Sequence, residues 1–346
     1  MKRCLELAAK GLGMASPNPV VGSVIVCDGK IIGEGYHRKC GEAHAEVNAV
    51  NSVKDKSLLK KSTIYVSLEP CAHIGRTPSC ADMIIRKGIP EIVIGSIDPY
   101  FQVAGKGVQK LEVAGRKVIT GVLEKECIEL NKRFYTFHQN KRPYIILKWA
   151  ETKDGYIDFI REPKAERKSF WITNDYCKIL VHKWRTEEDA FFVGTNTVLL
   201  DNPQLTAREW FGRNPVRVTI DKFDKLDKTS KIFDNQAQTI VFNSVKDKVE
   251  NNITFIKIDF SRNIVREMLG HLYEKQIQSL VVEGGSKTIQ SFIETGLWDE
   301  ARIFTGNHFF NKGVTAPVFV HKPNNVEIFG DSELAWYYNP ETIFKL

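Results

Sequence analysis

Along almost the whole chain, short runs of β-branched residues take turns with stretches whose apolar residues recur every three or four positions. Residues 20–27 (VVGSVIVC), 63–68, 92–95 and 116–120 read as strands. Residues 5–10, 43–53, 79–87, 105–114 and 123–134 read as helices. A parallel strand pair needs a crossover, usually a helix, so this alternation restricts the chain to layered α/β architectures with partly parallel sheets. One pair departs from it: Asp28-Gly29, between strands 20–27 and 30–36, is a hairpin signal.

The alternation runs twice. A polar stretch ending in proline, HQNKRP (138–143), separates the first set from a second. The second has strands at 144–149, 190–193, 216–221, 239–242, 253–256, 280–282 and 301–305, with helices at 175–184, 264–275 and 286–296. At roughly 150 residues per domain, 346 residues also suggest two domains, and the expected division is 1–142 and 143–346.

A hydrophobic fraction of 42% and a charged fraction of 26% exclude a disordered or collagen-like chain. No apolar run is long enough for a membrane helix. The start, MKRCLELAAK, lacks the apolar run of a secretion signal, and a cytoplasmic protein is expected. The seven cysteines are then free thiols or metal ligands rather than disulfides. The net charge of +7 is uneven: residues 1–142 carry +8 and residues 143–346 carry −1. A basic half suits nucleic acid, a phosphorylated small molecule, or simply a solvated lysine surface.

Three pieces in the first half carry chemistry. His44-Ala45-Glu46 opens a helix, Pro70-Cys71 follows strand 63–68, and Cys80 comes nine residues later. One imidazole and two thiolates suit Zn²⁺ with a fourth position open to water, the layout of a catalytic site. Zinc brings the pKa of water from 15.7 to about 7. Glu46 stands close enough in sequence to shuttle a proton without ligating. His-x-Glu with Pro-Cys-x-x-Cys marks the zinc nucleobase deaminases; here AHIGRTPS separates the cysteines where that signature has two residues. The bland alternative is two buried thiols and a surface histidine that never meet.

In the second half, strand 280–282 runs into Glu283-Gly284-Gly285-Ser286 and a helix. A glycine turn at a helix N-terminus is an anion site, although most such turns only solve a backbone problem. It lacks the G-x-G-x-x-G spacing, so it argues for no nicotinamide cofactor by itself.

The strings SPNPVVGSVIV (16–26), EGYHRKCGEAHAE (34–46) and EPCAHIGRTPSC (69–80) resemble the deaminase domain of the bifunctional riboflavin-biosynthesis deaminase–reductases. The resemblance extends through Asp98-Pro99, 103–107 and 131–134. LKWAETKDG (147–155), SFWIT (169–173), the segment 181–208 and VVEGGSKTIQSF (281–292) resemble that family's reductase domain. The resemblance implies a cytidine-deaminase-like three-layer α/β/α domain followed by a dihydrofolate-reductase-like α/β domain. It implies Zn²⁺ and NADPH as cofactors and a phosphorylated pyrimidine as substrate. His44, Cys71 and Cys80 would be zinc ligands and Glu46 the proton shuttle. Asn18, His37, His73 and Arg76 would contact the deaminase substrate. NADPH would be held by Glu151, Trp171, Thr197 and Asp201, together with Gly285, Ser286, Lys287, Thr288, Ile289, Gln290 and Ser291. Ser169, Arg185, Leu205, Arg208 and Glu283 would contact the reductase substrate. A homo-oligomer, dimer or tetramer, is expected.

Some residues depart from the family pattern. Ser79 stands where a second proline is common, Tyr100 and Phe101 change the segment after Asp98-Pro99, Lys153 replaces a leucine, and Lys222 follows strand 216–221. Lys222 is either a partner for the cofactor's 2′-phosphate or a solvated lysine. Bland readings stand beside several assignments: His37 bridging a turn, Asp201 capping one, Arg185 pairing with Glu187 or Glu188, Trp171 a plain core aromatic. Two rival functions also remain, an RNA-acting deaminase and a deaminase whose second domain only dimerises. The near-neutral second half has no basic stripe or RNA-binding aromatic motif, and the displaced cysteine fits a small-molecule enzyme better.

Overall fold

The computed structural model describes residues 1–72, 79–100, 103–160 and 170–342. The chain divides into two compact units, Met1–Lys141 and Arg142–Lys345.

The first unit is a five-stranded sheet built from β1 (Gly22–Cys27), β2 (Lys30–Tyr36), β3 (Thr63–Leu68), β4 (Glu91–Ser96) and β5 (Lys117–Ile119), in the order β2-β1-β3-β4-β5. Asp28 and Gly29 both have positive φ, the type I′ geometry that lets two residues join β1 to β2. β1 is antiparallel to β3, whereas β3, β4 and β5 are parallel. Helices cover both faces. α1 (Lys2–Ala9) sets Cys4 and Leu7 against Val24 of β1. α2 (Ala45–Ser52), α3 (Cys80–Lys87) and α4 (Lys106–Val113) pack Ala49, Val50, Ala81, Ile84 and Leu111 against Ile25, Ile64, Val66, Ile92 and Ile94 on the opposite face. Alternate residues of one strand thus enter different cores, as the pleat requires.

The expected helix 123–134 is two helices, α5 (Glu124–Leu130) and α6 (Lys132–Asn140), which break at Asn131. The cause is tertiary. The buried Asn131 amide clamps Val20 at both ends, its Oδ1 accepting from Val20 N and its Nδ2 donating to Val20 O, each at 2.9 Å. Because α6 runs to Asn140, the polar stretch 138–143 is a linker only over its last three residues. The lysine-rich segment after α2 has a structural task as well. Lys56 Nζ donates to the carbonyls of Val50 (2.5 Å), Val53 (2.6 Å) and Asn51 (3.0 Å), a cation closing the negative end of α2.

In the second unit, strands β6 (Tyr144–Thr152), β7 (Tyr156–Asp158), β8 (Ala190–Val193), β9 (Val216–Ile220), β10 (Thr239–Asn243), β11 (Lys248–Glu250), β12 (Ile253–Lys257), β13 (Ser279–Gly284), β14 (Glu300–Gly306), β15 (Val314–Thr315), β16 (Asn325–Phe329) and β17 (Ser332–Tyr338) occur with helices α7 (Asp175–Glu187), α8 (Thr195–Asp201), α9 (Ile264–Glu274) and α10 (Ser286–Glu294). β7 and β15 form a small pair; the other ten make one sheet ordered β11-β12-β10-β9-β8-β13-β6-β14-β17-β16. From β12 to β14 it is parallel; β17 and β16 add an antiparallel hairpin, and β11 an antiparallel edge. Ile145, Leu147 and Trp149 of β6 share one core with α9 and α10, while Tyr144 and Ile146 share the other with α7 and α8. The sheet is therefore covered on both faces, which explains why its strands read as continuous apolar runs. The chain order jumps around β13 and β6, so a crevice is expected at the carboxyl ends of these strands.

Candidate active sites

In the first unit three chain segments deliver the sulfur and nitrogen atoms. His44 is the N-cap of α2, Cys71 follows the end of β3, and Cys80 is the first residue of α3. Ser79, standing at the family's second proline, caps α3 by accepting from Asp82 N at 3.1 Å. The ligand atoms of His44, Cys71 and Cys80 all lie within 4.8 Å of one another. His44 Nδ1 is 3.4 Å from Cys80 Sγ and 3.7 Å from Cys71 Sγ. A tetrahedral zinc, with Zn–S about 2.3 Å and Zn–N about 2.0 Å, sets such separations at about 3.5 Å. The chemistry of the donors agrees. The Cys71 thiol is pulled well below its ordinary range, first by its hydrogen bond with Cys80 and also by that with His44, while the same Cys71–Cys80 bond and burial push Cys80 far up. Two touching sulfurs share one proton unless a dication lets both ionise. The unmet trio of the bland reading is thus excluded by geometry.

Cys71 is held by the start of α3: its Sγ accepts from Cys80 N at 3.3 Å and its carbonyl from Ala81 N at 3.1 Å. Two residues earlier, buried Glu69 accepts from four backbone amides. Gly107 N (2.8 Å) and Val108 N (3.2 Å) reach Oε1; Gly105 N (3.0 Å) and Asp98 N (3.3 Å) reach Oε2. This locks the strand end that carries Cys71 to the N-terminus of α4. Gly107 has to be glycine, because a Cβ there would stand 2.0 Å from Pro70 O. The sequence strings contained Glu69 and Gly107, but nothing in their spacing announced this lock.

Glu46 is buried in the first turn of α2, and burial pushes its carboxyl up to about 7. A zinc ion beside it would act in the opposite sense. His37 is buried with both ring nitrogens occupied: Nδ1 meets Ala43 O at 3.2 Å and Nε2 meets Asn18 Nδ2 at 3.0 Å. The Ala43 bond fixes Nδ1 as the donor, so Nε2 accepts and the Asn18 amide is oriented. His37 and His44 stack edge to face, which brings Asn18 and His37 together with the candidate metal-ligand cluster. His73 and Arg76 lie outside the described residues.

In the second unit the crevice expected at the strand ends exists. It is a cavity of about 800 Å³, in the upper part of the usual range for ligand sites (~300–1,000 Å³). Its walls include Lys148 and Ala150 of β6, Val193 at the end of β8, Ile220 of β9 and Phe304 of β14. The sequence-expected residues Trp171, Arg185, Thr197, Asp201, Leu205, Arg208, Glu283, Gly285, Ser286, Lys287, Thr288 and Ile289 all line it. Gly285 takes φ +75° and turns the chain so that α10 starts at the cavity wall. Three expected residues stand outside the wall. Gln290 Oε1 accepts from Val318 N, Ser291 Oγ donates to Thr288 O, and Glu151 accepts from the Trp149 indole. Ser169 lies outside the described residues. Lys222 stacks over Phe223 and Phe260 rather than lining the cavity.

Lys148 also lines the cavity, outside the sequence-expected set. Lys148 Nζ lies 3.1 Å from Glu283, whose other oxygen is 3.2 Å from Arg185 Nη2. Burial alone would raise the Glu283 carboxyl; the two cations override it and bring it to about 2. Arg185 therefore pairs with Glu283, and not with Glu187 or Glu188. The signal for Lys148 was available: a lone lysine within the otherwise apolar run YIILKW.

A family model described as the cytidine and deoxycytidylate deaminase zinc-binding region matches residues 1–96, and one described as the RibD C-terminal domain matches 143–317. The riboflavin biosynthesis protein RibD of Aquifex aeolicus is 40% identical over 321 residues, 91% of this chain and 88% of that one. The chain belongs to the RibD family. RibD of Escherichia coli is 35% identical over 327 residues, covering 88% and 86%. A solved deaminase/reductase structure from Thermotoga maritima agrees with a TM-score of 0.88 at 40% identity, over 98% of this chain and 97% of that one. The RibD fold pairs a cytidine-deaminase-like domain with a dihydrofolate-reductase-like one, as the sequence resemblance implied. The chain is accordingly a bifunctional deaminase–reductase of riboflavin biosynthesis, with a zinc-binding deaminase domain and a reductase domain of the NADPH-using kind.

Proposed function

We propose that the first unit removes the 2-amino group of 2,5-diamino-6-(5-phosphoribosylamino)pyrimidin-4-one, and that the second reduces the ribosyl group to ribityl. The convergence of His44, Cys71 and Cys80 beside buried Glu46 carries the first assignment. Zinc, when bound to these three, supplies a water acidic enough to attack at neutral pH. Glu46 takes a proton from that water and returns it to the departing nitrogen: a C–O bond forms at C2, the C–N bond breaks, and ammonia leaves. Asn18, oriented by His37, presents its Oδ1 to a ring N–H.

In the second unit, the start of α10 together with Trp171, Thr197 and Asp201 would hold NADPH, which would supply the hydride for C1′. The reduction also needs a proton, because the ring oxygen leaves C1′. We assign it to the Lys148 ammonium, beside Glu283 on the cavity wall. Arg185 and Arg208 offer planar donors to the sugar and its phosphate.

Ammonia release and NADPH oxidation are followed together on the one substrate with the purified chain. Ammonia first, then NADPH oxidation in equal amount, is the expected result. Ammonia release undiminished after exhaustive chelation would sink the zinc step; no NADPH oxidation on the deaminated intermediate would sink the second.

A further inference from the structure

His182 is fully buried on α7, one turn before Arg185. Its Nδ1 accepts from two successive backbone amides, Arg208 N at 3.0 Å and Glu209 N at 3.4 Å. A neutral imidazole that accepts at one nitrogen carries its hydrogen on the other. That Nε2–H has no partner among the described residues. Burial, followed by the charges of Arg185 and Arg208, brings the ring down to about 4, so at neutral pH it remains an acceptor. An apolar ring would fill the same space without burying an unmet donor. What histidine adds here is the Nδ1 lone pair and the two amides it holds.

The same segment is gripped at a second point. Arg185 Nη1 donates to Thr206 O at 3.3 Å, so residues 182 and 185, on one face of α7, hold the backbone on both sides of Ala207. Leu205 just before them is left-handed at φ +56°, a conformation a non-glycine residue keeps only when its surroundings impose it. The Arg208 side chain is in turn aimed by Gln204 Oε1 and Thr206 Oγ1, each accepting from Nη1 at 3.1 Å. Gln204 is itself fixed by Asp234, which pairs with buried Arg217.

We infer that His182 is a positioning residue of the reductase site: by holding the backbone amides of Arg208 and Glu209 it aims the Arg208 guanidinium into the cavity, toward the phosphate of the pyrimidine substrate. This rests on the reading above in which Arg208 meets that phosphate.

Four full-length variants test it: H182F, H182N, R208Q and the H182F/R208Q double. Asparagine places an oxygen where Nδ1 stands; phenylalanine keeps the ring and removes the acceptor. NADPH oxidation is measured on the deaminated intermediate with and without its phosphate, alongside thermal melting. H182F is expected to raise KM for the phosphorylated substrate about tenfold with kcat within about twofold, the pattern of lost ground-state binding. Its kcat/KM on the dephosphorylated compound is expected to match wild type. H182N is expected to keep the wild-type KM, and the double variant to have the KM of R208Q alone. The inference is overturned if the two substitutions multiply, if H182F acts equally on both substrates, or if a folded H182N shows the raised KM. That last outcome decides the matter even where H182F does not fold. A wild-type KM for R208Q would instead remove the phosphate reading itself, and the inference with it.

Discussion

The two sites are assembled in opposite ways. The candidate metal cluster uses residues 44 to 80, each at or just beyond the end of a helix or strand, with caps and the Glu69 lock holding those ends. The reductase cavity draws on strand ends from Lys148 to Phe304, and its central ion pairs join residues 135 and 98 positions apart. A site of the first kind leaves a compact signature and depends on one bound ion. A site of the second kind leaves scattered residues and depends on the sheet that carries them. The first should therefore fail by chemistry, and the second by chemistry together with folding.

Glu46→Gln gives the largest effect. If Glu46 is the proposed proton shuttle, its loss should lower deamination by about 10²- to 10⁴-fold, while NADPH oxidation on supplied intermediate and the melting profile remain as in wild type. A parallel loss of reductase activity would contradict the assignment of Glu46 to deamination alone. Next comes acid. Glu283 is lowered from an ordinary 4.5 to about 2 and is nearly buried, so its pairing contributes roughly 3 kcal/mol at neutral pH. Because folding lowers this pKa, the contribution is whole above the ordinary carboxylate value and disappears as pH falls through about 2. Glu283→Gln should therefore lower the stability of the second unit at pH 7 and flatten its dependence on pH between about 5 and 2. Unchanged curvature in denaturant titrations across that window would contradict the ion-pair account. The smallest effect is Gly29→Ala, which meets no neighbour within 4 Å but must adopt φ +73°, costing about 1 kcal/mol in the first unit alone. Any change in cavity chemistry from this hairpin substitution would show that the two regions are less independent than their construction implies.

Legibility followed the same division. Asp28-Gly29 and the apolar strands were readable because each rests on neighbours in the chain, and the metal trio because its residue types recur in a known motif order. The break at Asn131 was not, since its cause is Val20, 111 residues away. The hairpin of β16 and β17 also escaped notice: β16 is an exposed edge, and it leaves no core-facing alternation to detect. Among the cavity residues, the α10 start was legible as a motif. Lys148 showed only as a lone lysine in an apolar strand, with its partner Glu283 135 positions away, and His182 lay within a helix whose partner segment begins more than twenty residues later.

The place of β6 in the sheet has a consequence for biosynthesis. It is the first strand of its unit to leave the ribosome, and among the most apolar, yet both its neighbours, β13 and β14, lie in residues 279–306. Until they are translated, YIILKW has no edge to pair with. At about 5–20 residues per second this exposure lasts on the order of ten seconds. A nascent chain of this design needs shelter for β6 during that interval, and it is the segment on which a slowed or truncated synthesis would first show as aggregation.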